Sequence, residues 1–197
     1  MRYQAMERGE RERCRTKSAI KNALILIVKN KNYNDITVKD IVEEANVGRS
    51  TLYKHYPSKA HIMLEIHEDM FNLLFDDLTT SENWLQTEPQ PHLVSFLNRS
   101  RQLGNNRFFM SYKLGNDLDF LLTNVNMLMS KILQERLNQA FPTISFNIPS
   151  QIISISIASI YKDLLLAWFT KFSATPPNEY AHYISQLRSH LIKSHMK

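Results

Sequence analysis

The stretch from Ile36 to Lys59 constrains the fold more than any other part of the chain, because the boundaries of two short helices can be read from it. Thr37 and Asp40 have the spacing of a capping box, in which each side chain bonds the backbone amide of the other residue, so a helix is predicted to begin after Thr37. Asn46 tolerates the left-handed conformation of a tight corner better than most residues. Pro57 predicts the end of a second short helix.

The residues between these boundaries predict how the two helices pack. Ile41, Val42 and Ala45 give the first helix an apolar face at helical spacing, and Ala45 is small enough to let a second helix cross closely. Val47 and Leu52 are predicted to fill the corner. Two short helices joined by a three- or four-residue turn match the helix-turn-helix motif, whose second helix presents its N-terminal residues to base edges in the major groove of DNA.

The whole string resembles the TetR family of bacterial transcriptional regulators, above all in the Leu-Tyr-x-His-Tyr-x-x-Lys tail at residues 52–59. Ser58 is predicted to cap a third helix that begins at Lys59. The resemblance covers roughly residues 13–70 closely, and the rest of the chain only in length and helical character. It implies an all-α protein with an N-terminal three-helix helix-turn-helix lobe that binds DNA, and a larger helical body for ligand binding and dimerisation. Residues 167–181 resemble a Firmicute-type subgroup of the family.

The charge distribution supports a nucleic-acid partner for the N-terminal part of the chain. Residues 1–60 hold thirteen Lys or Arg against seven Asp or Glu, whereas residues 61–197 hold eleven against twelve. A basic lobe fused to a nearly neutral body is the arrangement expected of a protein that binds phosphates at one end. We therefore predict a DNA-binding domain at residues 1–60, with its last helix continuing to about residue 78 as a linker, and a regulatory and dimerisation domain at residues 61–197.

The candidates for reading the DNA sequence lie at the start of the second helix. Arg49 can bind guanine through two hydrogen bonds, and the methyl group of Thr51 can meet a thymine methyl. The family resemblance implies that Tyr53 and His55 reach phosphates or base edges, and that Lys59 grips a phosphate. The predicted DNA-contacting residues are Thr37, Lys39, Arg49, Ser50, Thr51, Tyr53, Lys54, His55 and Lys59.

The remaining chain has few glycines and long segments with helical periodicity, which favour helices throughout. Helices are predicted from residue 13 or 16 to 30, over residues 59–78, 92–103, 105–112, 117–141 and 150–171, and from 177 onward, with a loop at 79–91 and a connector at 142–149. One local signal conflicts: Ile153, Ile155 and Ile157 alternate with serines as in a strand. The apolar run continues through Trp168 at helical spacing, so its length favours a helix.

A dimer is predicted because a single short recognition helix reads too few bases to select one genomic site. Two copies on a pseudo-palindromic DNA site solve this problem. In the TetR family the last two long helices pair with those of a second subunit. The corresponding candidate interface residues are Ile153, Ile157, Ile160, Leu164, Trp168, Tyr183, Leu187 and Leu191. The alternative is that these residues complete the core of the monomer.

The same resemblance implies a ligand pocket between the middle helices, which would bind a small hydrophobic ligand. Some members of the subgroup are thought to act with a protein co-regulator in place of such a ligand. The candidate lining residues are Phe75, Trp84, Phe96, Leu103, Phe108, Phe109, Tyr112, Met127, Met129 and Trp168. Aromatic and Met side chains at helical spacing are also the ordinary content of an apolar core, and this alternative stays open.

Other functional classes are disfavoured by what the sequence contains. Cys14 is the only cysteine, so an intrachain disulfide and a cysteine-rich zinc site are excluded. The histidines lack the spacing of a His-x-x-x-His ligand pair, and there is no Gly-rich phosphate loop, so we expect no metal, no cofactor and no enzyme activity. A charged N-terminus without an apolar core predicts a cytoplasmic protein without a membrane partner. The remaining alternative is a helix-turn-helix protein-interaction module or co-regulator without its own operator.

Overall fold

The computed structural model describes residues 8–102 and 115–197. Within these ranges the chain forms nine α-helices and no β-strand, apart from one isolated bridge between Phe146 and Met196. The all-α prediction is confirmed. The helices are α1 (Arg8–Ile27), α2 (Val38–Glu44), α3 (Arg49–His55), α4 (Lys59–Leu74), α5 (Ser81–Leu85), α6 (Pro91–Gln102), α7 (Leu118–Ala140), α8 (Ser150–Thr170) and α9 (Pro177–His195).

The N-terminal lobe consists of α1, α2, α3 and the first half of α4 around its own apolar core. On α1, Ile20, Ala23 and Leu24 follow helical spacing and are buried, so this helix closes one side of the lobe. They pack with Leu52 of α3 and Ile62 of α4, which are fully buried. The apolar stripes of four short segments thus combine to bury a core that none of them buries alone.

Helix α4 connects the lobe to the larger body. Its first half contributes Ile62 and Ile66 to the core of the lobe, and its second half contributes Phe71 and Leu74 to the core of the body. The body otherwise consists of α5 to α9. One continuous helix therefore belongs to both cores.

Helix α8 is the most apolar element, and its strand-like local pattern does not prevent a helix. Ile153, Ile157, Tyr161 and Leu165 recur every four residues and are buried against the neighbouring helices. The helix is long and apolar enough to cross a membrane, with a mean hydropathy of 1.6 in its most apolar window. Its packing among α7 and α9 is that of a core helix.

Three predicted elements differ from the structure at their boundaries. Helix α1 spans Arg8–Ile27, whereas the sequence predicts its start at residue 13 or 16 and its end at residue 30. Residues 79–91, predicted as a loop, contain the short helix α5, which begins with a capping box: the Thr80 hydroxyl accepts from the Asn83 amide, and the Asn83 side chain accepts from the Thr80 amide. Helix α4 ends at Leu74 rather than near residue 78. Ser58 stands at its N-cap without capping it, since its hydroxyl bonds the imidazole of His61. The helix predicted over residues 105–112 lies outside the described residues.

Arg188 of α9 is fully buried and forms hydrogen bonds with several parts of the body. Its guanidinium donates to the main-chain carbonyls of Asn83, Trp84 and Gln86 at 3.0–3.2 Å. These carbonyls lie at the end of α5, where a helix leaves acceptors without partners, so α9 supplies the cap that α5 lacks. The same guanidinium also donates to Gln90 Oε1 at 3.1 Å.

Gln90 extends this polar cluster to α4 and α8. Its side-chain amide donates to the Leu74 carbonyl and to Asp77, both at 2.6 Å, and its oxygen accepts from the hydroxyl of Tyr161 at 2.6 Å. Burial raises the pKa of Tyr161, so this residue remains a neutral hydroxyl that can donate to Gln90 while it accepts from Arg188. The end of α4 is therefore fixed to α8 and α9.

Candidate nucleic-acid interface

The first helix of the helix-turn-helix begins as the sequence predicts. The Thr37 hydroxyl accepts from the Asp40 amide at 3.2 Å, and the Asp40 carboxylate accepts from the Thr37 amide at 2.7 Å, which completes the capping box. The ammonium of Lys31 also donates to this carboxylate at 2.7 Å. Hydrogen bonds from Lys31 and Thr37 hold the pKa of Asp40 far below its usual range, so the cap stays ionised at neutral pH.

The turn after α2 is a Schellman motif built on Asn46. This residue has φ +51°, and the amides of Asn46 and Val47 donate to the carbonyls of Glu43 and Val42 at 3.2 and 3.0 Å. The prediction of a left-handed Asn46 is confirmed. The turn sets the angle at which the chain enters α3, because its two hydrogen bonds fix the last turn of α2.

Asn46→Val is expected to lower the free energy of unfolding by about 1–2 kcal/mol relative to Asn46→Gly, because a β-branched side chain is strained at positive φ whereas glycine is not. Chemical unfolding of the two variants followed by circular dichroism measures this difference. Equal stabilities would contradict the assigned turn.

Helix α3 buries one side and exposes the other. Leu52 is fully buried in the lobe, whereas Arg49, Ser50, Tyr53 and Lys54 are exposed, Tyr53 by 54 %. We call these four exposed residues the recognition face. Two further predicted contact residues on the helix, Thr51 and His55, are half-buried beside this face. A short helix held from behind by Leu52 presents its opposite side as a fixed, basic and hydrogen-bonding surface.

His55 lies at the end of α3 in a positively charged environment. Burial and the charges of Arg13, Lys17 and Lys54 lower the pKa of its imidazole, so His55 is neutral at pH 7 in the free protein. A neutral imidazole can contact a phosphate only by donating an N–H. The Lys17 ammonium lies 5.2 Å from the ring centroid of Tyr56 at the end of α3, so the first half of α1 lies beside α3, a proximity that the sequence did not indicate.

Thr37 and Lys39, the predicted contacts on α2, are exposed. The Lys39 ammonium lies 3.7 Å from the Glu43 carboxylate one turn later, a pair that water screens strongly. The side chains of Thr37 and Lys39 therefore remain accessible to a phosphate.

Lys59, at the start of α4, is hydrogen-bonded within the lobe. Its ammonium donates to the carbonyls of Tyr33 and Ile36 at 2.6 and 2.9 Å and lies 4.0 Å from the centroid of the Tyr33 ring. Burial lowers the pKa of Lys59. In the free protein Lys59 therefore connects the start of α4 to the turn before α2, and its phosphate contact remains a prediction.

The residues predicted to line a ligand pocket lie in different places in the structure. Phe96 and Met129 line an open apolar groove between α4, α6, α7 and α8, together with the polar side chains of His67 and Lys162. Four other candidates do not line it: Phe75, Trp84 and Trp168 are buried in the core of the body, and Met127 is 56 % exposed. Leu103, Phe108, Phe109 and Tyr112 lie outside the described residues.

The predicted dimer interface is also corrected in part. Ile153, Ile157 and Trp168 are buried in the core of their own subunit, so they cannot meet a second one. Ile160, Leu164 and Leu191 are half-buried, while Tyr183 and Leu187 are 45 % and 47 % exposed on α9. The exposed apolar residues of α8 are instead Ile152 and Ile155, at 48 % and 50 %.

We call Ile152, Ile155, Tyr183 and Leu187 the α8–α9 face. Helix α8 is apolar on nearly all sides, so its sequence does not reveal which side packs inward.

In the described part of the chain, His, Cys, Asp and Glu side chains nowhere form a group of three that could hold a metal ion.

Comparison with known proteins places these features in a family. The sequence model described as bacterial regulatory proteins, tetR family, matches residues 23–66, which include the helix-turn-helix. A curated relative, the uncharacterized HTH-type transcriptional regulator YxbF of Bacillus subtilis, is 39 % identical over 51 residues. That match covers 26 % of this chain and only 13 % of the length of the relative.

Solved structures share the fold over most of the chain. A TetR transcriptional regulator from Streptococcus agalactiae is 26 % identical with a TM-score of 0.53, covering 91 % of this chain and 97 % of the other. The repressor FadR of Thermus thermophilus, solved with lauroyl-CoA, is 17 % identical with a TM-score of 0.55, covering 87 % and 92 %. Residues 23–66 therefore match the TetR family of bacterial regulatory proteins, and the chain as a whole shares the fold of TetR-family transcriptional regulators.

Proposed function

We propose that this protein is a repressor that binds a pseudo-palindromic operator as a homodimer, with the recognition face of α3 in the major groove. The observation that carries the proposal is the arrangement of α3, in which Leu52 is buried and Arg49, Ser50, Tyr53 and Lys54 are exposed. Arg and Ser side chains at the start of the helix can bond base edges, while Tyr and Lys further along can reach phosphates. A DNA target also implies a cytoplasmic location.

The α8–α9 face supports the homodimer. Its four large apolar side chains are each about half exposed on two long neighbouring helices. Exposed apolar clusters on long helices mark protein–protein contacts, and a stable interface buries about 1,200–2,000 Å² in total. Pairing of this face with its symmetry copy would give a four-helix bundle and hold the two recognition helices at a fixed separation.

The apolar groove supports release of the operator by a small hydrophobic ligand. Its walls come from α4, α6, α7 and α8. A ligand between these helices would contact α4, which belongs to both the body and the lobe. FadR of Thermus thermophilus, which has the same fold, was solved with lauroyl-CoA, a ligand with a long apolar chain.

The operator can be identified by capturing genomic DNA fragments on the purified protein and testing them by gel shift. We expect retardation of a fragment with two inverted half-sites whose centres are about one helical turn, or a multiple of it, apart. No retardation of any fragment at low salt would favour the alternative, an interaction module or co-regulator without an operator of its own.

Two substitutions on the recognition face separate base reading from phosphate binding. Arg49→Ala is expected to relax the preference at one base pair by about 1–3 kcal/mol. Lys54→Ala is expected to weaken binding to all sequences and to reduce the salt slope of the binding constant by about one unit. Each variant is the control for the other in binding titrations at several salt concentrations. Equal losses for Arg49→Ala on operator and random DNA would refute its reading role.

A further inference from the structure

The lobe and the body meet at a second place besides the continuous helix α4. There the turn at residues 33–35 of the lobe contacts the turn at residues 115–117 that leads into α7. Tyr33 is 5 % exposed, and its hydroxyl donates to the Asp117 carboxylate at 2.8 Å. This hydrogen bond joins residues 84 positions apart, one in each part of the molecule.

Gly115, in the turn before α7, lies in close contact with Asn34 of the lobe. Gly115 has φ +53°, a conformation that strains residues with a Cβ. A Cβ at this position would also overlap the side-chain amide of Asn34 in the lobe. The positive φ and the close approach of the Asn34 side chain both favour glycine at this position.

Lys59 connects this contact to the start of the helix-turn-helix. Its ammonium binds the carbonyls of Tyr33 and Ile36, directly before the capping residue Thr37 of α2. The Asp117 carboxylate attracts the same ammonium. The turn before α2 is thus held by Lys59 from the lobe and by Asp117 from the body.

Apolar contacts reinforce the connection. Leu121 belongs to α7 of the body, yet it is 2 % exposed within the apolar core of the lobe. Phe120 packs against the same core, and its ring lies 4.9 Å from the imidazole of His61 between centroids. The first two turns of α7 are therefore anchored in the lobe by both polar and apolar side chains.

We propose that this second connection, the α7 brace formed by Tyr33, Lys59, Gly115 and Asp117, sets the tilt of the lobe and thereby the half-site separation that the dimer accepts. A lobe attached through α4 alone could rotate about a hinge in that helix, whereas a second attachment removes that freedom. The inference rests on the proposed binding of an operator by a dimer. Tyr33 and Asp117 are then positioning residues that act on DNA without touching it.

The test measures how strictly each variant requires the natural spacing of the half-sites. Tyr33→Phe removes the hydrogen bond to Asp117 but keeps the ring that packs against Lys59. The probes are an operator recovered by selection from random DNA, and versions with one base pair added or removed between the half-sites. We expect Tyr33→Phe to reduce the preference for natural spacing by about fivefold or more, the equivalent of one hydrogen bond of about 1 kcal/mol. Gly115→Ala is expected to reduce the preference for the natural half-site spacing further.

A matched control is Tyr180→Phe, which removes a hydrogen bond of the same length, 2.8 Å, from a tyrosine hydroxyl to the Leu164 carbonyl within the body. Tyr180→Phe should lower the free energy of unfolding by an amount similar to that of Tyr33→Phe and leave the preference for the natural half-site spacing unchanged. If Tyr33→Phe weakens all three DNA probes equally, or none, the brace has no positioning role and the inference is wrong.

If selection recovers no operator, the proposed function is wrong. Amide hydrogen exchange then tests, without DNA, whether the α7 brace stabilises the contact between the lobe and the body. Tyr33→Phe should then accelerate exchange of the Asp35 and Ile36 amides and of the first turn of α7, while the amides of α8 keep their protection. Unchanged exchange at these sites would overturn the brace independently of DNA binding.

Discussion

Arg188→Ala is expected to lower the free energy of unfolding by about 3–5 kcal/mol, because it leaves buried acceptors without their donor. Three carbonyls at the end of α5 lose their cap, and Gln90 Oε1 keeps only the hydroxyl of Tyr161. A cavity also remains where the guanidinium was. Urea unfolding followed by circular dichroism at one fixed protein concentration measures the loss, since the stability of a dimer depends on concentration.

Two variants at the same place calibrate this result. Arg188→Lys keeps the positive charge but has no planar fork to span several acceptors, so it should lose a large part of the same stability. Ser189→Ala removes a single hydrogen bond to the Leu85 carbonyl and should cost about 1 kcal/mol. A loss below about 1 kcal/mol for Arg188→Ala would mean that water replaces the guanidinium, and that the cluster does not hold α5 in place.

The helix-turn-helix could be predicted from the sequence because its determinants lie close together in the chain. The capping box joins Thr37 and Asp40, and the Schellman turn on Asn46 involves only the residues around it. Each of these signals depends on local backbone geometry that particular residue types favour. The position of Leu52 in the core then follows from the turn, and with it the exposed face of α3.

The polar cluster of the body could not be predicted in this way. Arg188 and Gln90 are 98 positions apart, and an arginine on an amphipathic helix is usually solvent-exposed. The inward side of α8 was equally hidden, since almost every side of this helix is apolar. Thr80 and Asn83 did carry a local signal for α5, a capping box with Asn in the place of the commoner acidic residue or Gln.

The internal hydrogen bonds of Lys59 could not be predicted for the same reason. A lysine at the start of a helix after the recognition helix fits a phosphate contact, and nothing nearby in the sequence argues against it. The competing acceptors are the carbonyls of Tyr33 and Ile36, 26 and 23 positions earlier. Tertiary contacts, rather than the local pattern, therefore decide what this ammonium binds.

The double substitution Ile155→Glu and Leu187→Glu is expected to convert the protein to a monomer at micromolar concentration and to weaken operator binding at least about 100-fold. These side chains lie half exposed on α8 and α9. In a dimer they would be buried, and four unpaired carboxylates in an apolar interface cost several kcal/mol. A monomer then contacts only one half-site, so the gain from simultaneous binding at both half-sites is lost.

Leu73→Glu is the matched control, because Leu73 is 59 % exposed on α4, outside the α8–α9 face. It introduces one carboxylate per subunit, where the double variant introduces two, on the same kind of surface position, and it should leave both the mass and the operator affinity unchanged. Sedimentation equilibrium and gel shift on the three proteins give the comparison. If the double variant remains a dimer while circular dichroism shows it folded, a different surface makes the dimer; if it becomes a monomer with undiminished affinity, one lobe suffices to read the operator.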